Sequence, residues 1–353
     1  MRILNLNESR FEDNDWWRRN STAITDVDPL WRKRSLLVRV VRLLSLARGF
    51  DVVLFHRDVH LAAFYGLIGR IFHSKTPLVF QGFEYDVSRD SKAAPKIAKL
   101  ARQKISRLLH SLVVHRMNVV VVHTRAEVDS YSQFFKVPGS RFNFIPYFHY
   151  GPSVFAAGLP NEVQSAESSY VLALGRHRDF DCFVQAARGS DWQSVIVAGK
   201  SDRQVLEGKL PDNVTAHYEV SREEYRDYIS RAALVVIPLH ADRWQRALGH
   251  IAMFEAMVRG KAIVAAETFQ LSDYAGEGEV LFYQPGNAAH LREQIERLLG
   301  DENLRRELSG NAYKRLLAEF TREKYIARLV DVCGLISKDT RTSQDTRASW
   351  QRI

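Results

Sequence analysis

Short apolar runs alternate with amphipathic stretches along most of the 353-residue chain, and this alternation predicts an α/β protein. Residues 118–123 and 261–266 are dominated by valine, isoleucine and alanine, as is usual for strands buried on both faces of a parallel sheet. Between such runs, apolar residues recur at the spacing of helices that cover a core. The predicted strands are 2–7, 51–56, 77–81, 118–123 and 141–145 in the first half, and 170–175, 194–199, 214–219, 233–238, 261–266 and 279–283 in the second.

The predicted elements fall into two sets, which indicates two domains. A stretch rich in glycine, proline and serine separates the sets, as expected of a linker. We therefore predict a first domain at 1–150, a linker at 151–168 and a second domain at 169–337 that ends in three charged helices. Residues 338–353 have no hydrophobic periodicity, and we expect them to form a disordered tail.

The net charge of +9 is distributed unevenly between the two halves. Residues 1–150 contain 24 Lys and Arg against 13 Asp and Glu, whereas residues 151–353 contain 26 against 28, so the halves carry +11 and −2. A basic half suits a polyanion: an anionic membrane face, nucleic acid or a phosphorylated acceptor. Two predicted amphipathic helices, 31–48 and Pro95 to Arg116, carry many of the basic residues and favour the membrane face.

Composition also argues against several classes of site. No apolar run reaches the roughly 18 residues of a membrane span, so we expect a cytoplasmic protein that can attach to the inner face of the membrane. Cys182 and Cys333 lack metal-ligand spacing, and His56 and His60 lack an HExxH pattern, so no metal is expected. Neither GxGxxG after a first strand nor GxxxxGK[ST] occurs, which argues against dinucleotide oxidoreductases and P-loop NTPases.

One stretch combines a glycine, a helix start and a single acid within an apolar run: LGHIAMFEAMVRG at 248–260. Gly249 allows close backbone approach, and the free amides of a helix start attract an anion such as a diphosphate. Glu255 is surrounded by apolar residues and needs a polar partner. That partner could be an arginine of an ordinary α/β unit or the diol of a ribose, and both interpretations stay open at this point.

Two further acids follow the strand at 77–81. Glu84 and Asp86 lie just beyond its carboxyl end, where ligands collect in open α/β sheets. They are candidates for contacting an acceptor hydroxyl, and solvated loop acids are the alternative.

The motif GHIAMFEAMVRGKAIVAAE, together with two βα domains and a helical end, resembles the GT-B glycosyltransferases, most closely glycosyltransferase family 4. The resemblance implies two Rossmann-like domains that face a central cleft. It makes Glu255 the ligand of the nucleotide ribose, and it places the backbone amides of Gly249, His250 and Ile251 at the donor diphosphate.

A second match lies in LALGRHRDF, at the end of the strand 170–175. In the family a Gly-Arg pair and then a lysine follow this strand, and both cations contact donor phosphates. Gly175 and Arg176 fit the pair, and Arg178 is the cation nearest to the lysine position. Fixed cations of this kind stabilise a departing nucleoside diphosphate, which makes Arg176 a catalytic candidate.

The sequence also departs from the family pattern. The family's first glutamate, eight positions before the second, is replaced by Ala247, and the loop after the first strand contains no glycine. His123 follows a strand but does not align with the family's usual histidine. These departures leave the donor sugar open.

The resemblance implies a glycosyltransferase that moves a sugar from a nucleotide sugar to a glycan or lipid-linked acceptor. Retention of anomeric configuration is expected, with neither a metal nor a cofactor beyond the donor; for an inverting reaction Glu84 or Asp86 would serve as the base. The alternatives are a nucleotide-sugar epimerase and a non-catalytic GT-B protein that binds nucleotide sugar or an anionic surface. Nucleic-acid binding follows from the basic charge alone, without a recognition module, and we expect no nucleic-acid partner.

Overall fold

The computed structural model describes residues 1–6, 11, 14–72, 74–85, 97–149, 170–241 and 248–350. The chain forms two compact units, one comprising Met1–Pro146 with Glu323–Ile353 and the other comprising Tyr147–Arg322. Each unit contains a six-stranded parallel sheet with its own apolar core. The α/β fold predicted from the sequence is therefore confirmed.

The first unit has the strand order β2-β1-β3-β4-β5-β6. Every described residue of β1, β4 and the last three of β5 is buried, which is why these strands appear in the sequence as apolar runs. The strands are β1 (Ile3–Asn5), β2 (Ser21–Ala23), β3 (Val52–His56), β4 (Leu78–Gln81), β5 (Val119–Val122) and β6 (Phe142–Phe144), and the helices are α1 (Asp15–Asn20), α2 (Ile24–Val27), α3 (Leu36–Leu46), α4 (Val59–Ile71), α5 (Ile97–Arg116) and α6 (Arg125–Phe135).

The second unit has the strand order β12-β11-β10-β7-β8-β9. Its first strand, β7, therefore lies between β8 and β10. The strands β7, β8 and β9 follow one another in one direction across the sheet, and β10, β11 and β12 continue from β7 in the opposite direction. Open α/β sheets bind ligands at such a point, outside the carboxyl ends of the strands. The strands are β7 (Val171–Gly175), β8 (Ser194–Ala198), β9 (Val214–Tyr218), β10 (Leu234–Ile237), β11 (Ala262–Ala266) and β12 (Leu281–Tyr283), and the helices are α7 (Phe180–Ala187), α8 (Arg203–Leu206), α9 (Arg222–Arg231), α10 (His250–Val258), α11 (Phe269–Ser272), α12 (Ala288–Gly300) and α13 (Glu302–Glu319).

The last helix, α14 (Arg322–Trp350), departs from the sequence prediction in two respects. It continues through the segment expected to form a disordered tail, because a helix that has started adds one hydrogen bond for each further residue. Residues from Glu323 onward group with the first unit rather than with the domain predicted at 169–337. Tyr325 is buried there, with its ring 6.0 Å from Phe11 and 6.5 Å from His123.

The segment after β1 also differs from the expected loop, because it contains α1 and β2. Asn14 caps α1 by accepting a hydrogen bond from the Trp17 amide at 3.0 Å, and the Trp17 ring packs edge-on against Phe11 at 5.0 Å. The helix predicted at 31–48 is divided into a 3-10 turn, α3 and a second 3-10 turn. The predicted linker at 151–168, Asp86 and Ala247 lie outside the described residues. None of the helices in the described ranges is long and apolar enough to cross a membrane.

Candidate functional site

The loop after β7 begins with a glycine that makes room for an arginine. Gly175 has a φ of 124°, and a Cβ built on it would lie 2.4 Å from Nε of Arg178. A side chain at this position would therefore be strained and would also displace the guanidinium. The sequence match at Gly175 thus has a local physical reason.

Arg178, three residues after Gly175, has a buried donor atom in its guanidinium. Its Nε lies 3.4 Å from the Leu174 carbonyl oxygen, whereas Nη1 is buried and has no hydrogen-bond partner among the described residues. Burial lowers the pKa of Arg178, and the nearby Tyr225 and Asp202 act in the opposite direction. A buried N–H group without an acceptor is unfavourable. An anion bound here would supply a hydrogen-bond acceptor to Nη1.

Arg176 is positioned differently from Arg178. Its side chain is 72% exposed, and its Nη2 lies 3.8 Å from the carboxylate of Glu219. The stem is packed over Gly199, where a Cβ would approach the Arg176 Cγ to 2.9 Å. An exposed pair of this kind contributes little to stability, so the guanidinium can exchange Glu219 for another anion.

Asp202 joins the loops that follow β7 and β8. Its carboxylate accepts hydrogen bonds from the amides of His177 at 3.3 Å and Gly199 at 3.1 Å. His177 has a φ of 56°, a left-handed conformation that is uncommon outside glycine. Asp202 therefore holds the backbone at His177, directly after Arg176, and at Gly199, against which the Arg176 stem packs, a function that the sequence analysis did not assign.

Helix α10 follows β10 and starts directly after a glycine. Gly249 precedes it with a φ of 83°, and a Cβ there would lie 2.9 Å from Leu271 Cδ2. Gly249 has no side chain with which to cap this helix start, and the amides of a helix start are groups that attract an anion. The buried His250 ring stacks on Tyr147 at 4.1 Å, whereas the side chain of Ile251 is exposed.

Glu255 lies on α10 within a cluster of cations. Its Oε2 accepts a hydrogen bond from Arg259 Nη1 at 2.5 Å and lies 3.7 Å from Arg226 Nε, and its Oε1 lies 3.5 Å from His149 Nε2. Burial raises the pKa of Glu255, but the hydrogen bonds and charges of His149 and Arg259 outweigh it and lower the pKa to about 2. Glu255 is therefore an ionised, oriented carboxylate, and its contact with a ribose stays a prediction.

Tyr225 connects the two parts of this site. Burial raises the pKa of its phenol; the charge of Glu255 raises it further, whereas Arg178 and Arg259 lower it. The phenol on α9 is thus near both the arginine after β7 and the acid on α10. The structure brings together Arg178 after β7, Tyr225 after β9 and Glu255 after β10.

Some of these residues could have been found in the sequence and others could not. Arg259 is four positions after Glu255 on one helix, a spacing at which opposite charges pair. His149, Arg226 and Asp202 come from distant parts of the chain, and no local pattern marks them.

The acids predicted for acceptor contact belong to the first unit. Glu84 follows β4; its side chain is 38% exposed and lies 3.5 Å from Arg57 Nη2. His123, after β5, is buried, and its Nδ1 is 2.8 Å from the Ile145 carbonyl oxygen. Burial lowers the pKa of His123 to about 4, although the bond to Ile145 opposes this shift, so the imidazole is neutral at pH 7. Asp86 lies outside the described residues.

The structure does not assemble a metal site from the side chains that it describes. No group of three or more His, Cys, Asp and Glu side chains in those ranges could hold a metal ion.

Comparison with known proteins identifies the class. Residues 163–315 match the family model described as glycosyl transferases group 1, and the two units have the GT-B fold. The chain is therefore a glycosyltransferase whose second unit carries a group 1 domain, as the sequence resemblance implied. A comparison with curated proteins gives no match.

Solved structures with the same fold cover most of the chain. Sucrose-phosphate synthase from Thermosynechococcus elongatus is 19% identical, with a TM-score of 0.58 over 92% of this chain and 80% of that one. Alr3699/HepE from Anabaena, solved in complex with UDP, is 14% identical, with a TM-score of 0.61 over 96% of this chain and 100% of that one. A glycosyltransferase from Rickettsia africae ESF-5 is 12% identical, with a TM-score of 0.63 over 95% and 98%.

Proposed function

We propose that this glycosyltransferase binds a nucleotide sugar at the switch point of the second unit and transfers the sugar to a glycan or lipid-linked acceptor. The observation that carries the proposal is a pair of groups on either side of Tyr225: the buried Nη1 of Arg178, which has no hydrogen-bond partner among the described residues, and the ionised Glu255. The first suits a diphosphate and the second suits the hydroxyls of a ribose. HepE, which shares the fold, was solved with UDP and with UDP-glucose.

Two kinds of group would hold the donor: a carboxylate for its ribose, and amides and arginines for its diphosphate. Glu255 can accept hydrogen bonds from both ribose hydroxyls, because its carboxylate has two oxygens and, with a pKa lowered to about 2, carries no proton near neutral pH. Gly249, His250 and Ile251 offer backbone amides to the diphosphate. Arg176 and Arg178 add positive charge where the leaving diphosphate becomes more negative.

We expect this transfer to proceed in EDTA. The arginines and the helix-start amides can offset the charge of the leaving group, so a bound cation is not required. The measurement incubates the full chain with UDP-, GDP- and ADP-sugars and a glycan or lipid-linked acceptor, and follows release of the nucleoside diphosphate with and without EDTA. Loss of turnover in EDTA that Mg²⁺ or Mn²⁺ restores would contradict metal independence. Donor binding without any release would instead favour a non-catalytic GT-B protein.

The expected stereochemical outcome is retention, with the leaving phosphate helping to deprotonate the acceptor on the same face of the sugar. NMR of freshly formed product distinguishes this outcome from inversion through its anomeric coupling. A product with the opposite configuration to the donor would reject retention. Glu84 and Asp86 would then be the candidates for the general base.

The acceptor side and the cellular setting complete the proposal. We place acceptor contacts in the first unit, on the carboxyl side of β4, and we place the reaction in polysaccharide or glycoconjugate biosynthesis in the cytoplasm. The +11 charge of residues 1–150 supports attachment to an anionic membrane surface.

A further inference from the structure

Two adjacent helices of the first unit present apolar side chains to solvent. On α3, Leu37 and Val41 are 67% and 58% exposed, and on α4, Ile71 and Phe72 at its end are 65% and 62% exposed. These four residues are called the α3–α4 apolar surface below. Single exposed apolar residues are ordinary, but several on neighbouring helices form a patch of the kind that marks an interaction site.

The surface contains a groove with basic residues in its wall. The groove has a volume of about 660 Å³ and lies between α3 and the end of α4. Leu37, Val41 and Phe72 line it together with Arg48 and Lys75. Apolar side chains beside cations are the combination found where a protein meets the boundary between lipid headgroups and acyl chains.

The helices at and next to this surface carry basic residues but no acidic ones. The sequences of α3, α4 and α5 contain no Asp or Glu. The acids that flank α3 and α4 are already paired, because Asp28 accepts from Arg34 at 2.7 Å and Asp58 from Arg39 at 3.2 Å. The surface is therefore electrostatically suited to an anionic partner.

We propose that the α3–α4 apolar surface docks on an anionic lipid bilayer, with its apolar side chains at the acyl boundary and Arg48 and Lys75 at lipid phosphates. This inference deepens the proposed function, because it assigns the membrane partner to named residues. A second copy of the chain is a poorer occupant, since pairing two such faces would bring like charges together. This surface also differs from a surface that is only basic, because Arg48 and Lys75 lie beside exposed apolar side chains. Electrostatic attraction and insertion of apolar side chains would therefore act at the same place.

The test compares two double variants with matched controls in vesicle sedimentation. Ile71→Gln with Phe72→Gln removes apolar contacts, and its control is Val205→Gln with Leu335→Gln, which alters exposed apolar residues elsewhere. Arg48→Gln with Lys75→Gln removes charge, and its control is the double variant of two exposed cations on other helices, Arg297→Gln with Lys314→Gln. Vesicles are phosphatidylcholine alone or with phosphatidylglycerol, at low and high salt.

We expect binding to be much stronger on the anionic vesicles than on the neutral ones, where only the apolar contact acts. Loss of two cations should weaken it about 30-fold at low salt, because each basic residue near the surface contributes on the order of a fivefold gain. Salt screens the charges but not the apolar contact, so Ile71→Gln with Phe72→Gln should remove the binding that remains in high salt. The controls should bind as the unchanged chain does.

Four results would overturn the proposal: no binding to either kind of vesicle, equal binding to neutral vesicles, binding that neither double variant weakens, and a dimer in light scattering that Ile71→Gln with Phe72→Gln converts to a monomer. Thermal shift by nucleoside diphosphates is measured on the same variants. It should be unchanged, since the altered residues lie outside the candidate donor site. If the chain binds nucleotide but not vesicles, this inference alone is rejected. If it binds vesicles but no nucleotide, the proposed function alone is rejected.

Discussion

Replacing Glu255 by alanine is expected to lower kcat/KM for sugar transfer by at least ~100-fold, since losing a buried charged hydrogen bond costs several kcal/mol. The carboxylate is 13% exposed, and Arg259, Arg226 and His149 hold it in one orientation. Steady-state kinetics over a range of donor concentrations measures the effect. The matched control is Glu302→Ala, because Glu302 also pairs with an arginine four positions later, but on an exposed helix surface.

The same substitution has a stability effect that must be separated from the kinetic one. Removing the Glu255 carboxylate takes away the ion-pair partner of Arg259, whose side chain is only 14% exposed. A buried charge without a partner destabilises the fold. Glu255→Gln keeps the shape and is the more informative variant. Near-normal turnover in a folded Glu255→Gln or Glu255→Ala protein would contradict the donor-site assignment.

The pH dependence of unfolding gives a second view of Glu255. Its pKa is lowered from 4.5 to about 2 in the folded chain, so the folded state favours the ionised form. The resulting stabilisation, about 3 kcal/mol by linkage, is fully present above pH 4.5 and is lost as the pH falls through 2. The difference in unfolding free energy between the unchanged chain and Glu255→Gln should therefore shrink over this interval.

Replacing Arg178 by alanine is the second change with a large expected effect, and it should exceed the effect of Arg176→Ala. Arg178 has a buried donor with no acceptor in the part of the chain that the structure describes, whereas Arg176 is largely exposed and near Glu219. Charges enclosed by protein act more strongly on a ligand than solvated ones. We expect at least ~100-fold weaker nucleoside diphosphate binding for Arg178→Ala, by isothermal calorimetry, and a smaller loss for Arg176→Ala.

The control for both variants is Arg297→Ala, an exposed arginine on α12. Arg178→Lys adds a further comparison, because it keeps the charge but removes the planar group that packs against Gly175. An Arg178→Ala protein that binds the diphosphate as tightly as the unchanged chain would contradict the role given to the buried Nη1.

Much of the fold could be predicted because buried parallel strands are apolar throughout. Each predicted strand is present in the structure, whereas the short β2, with only three partly buried residues, gave no signal. The return of α14 to the first unit could not be predicted, because it depends on contacts of Tyr325 with Phe11 and His123, far away in the sequence. Periodicity reveals which face of a helix is apolar but not what that face packs against.

The candidate site shows the same division between local and distant information. Gly175, Arg178, Gly249 and Glu255 lie in two short motifs, and their backbone requirements are local. The partners that orient Glu255 combine one local residue, Arg259, with His149 and Arg226 from other segments. The sequence ranked Arg176 above Arg178, since it could not show which guanidinium is enclosed.

The most direct test of the central claim is a thermal-shift panel of UDP, GDP and ADP with the unchanged chain and with Glu255→Gln. A nucleotide at 100 times its dissociation constant stabilises a folded protein by about 2.7 kcal/mol. We predict that at least one of the three raises the Tm of the unchanged chain and has little effect on Glu255→Gln at the same concentration. No shift with any of them, or an equal shift in both proteins, would contradict a donor site built around Glu255.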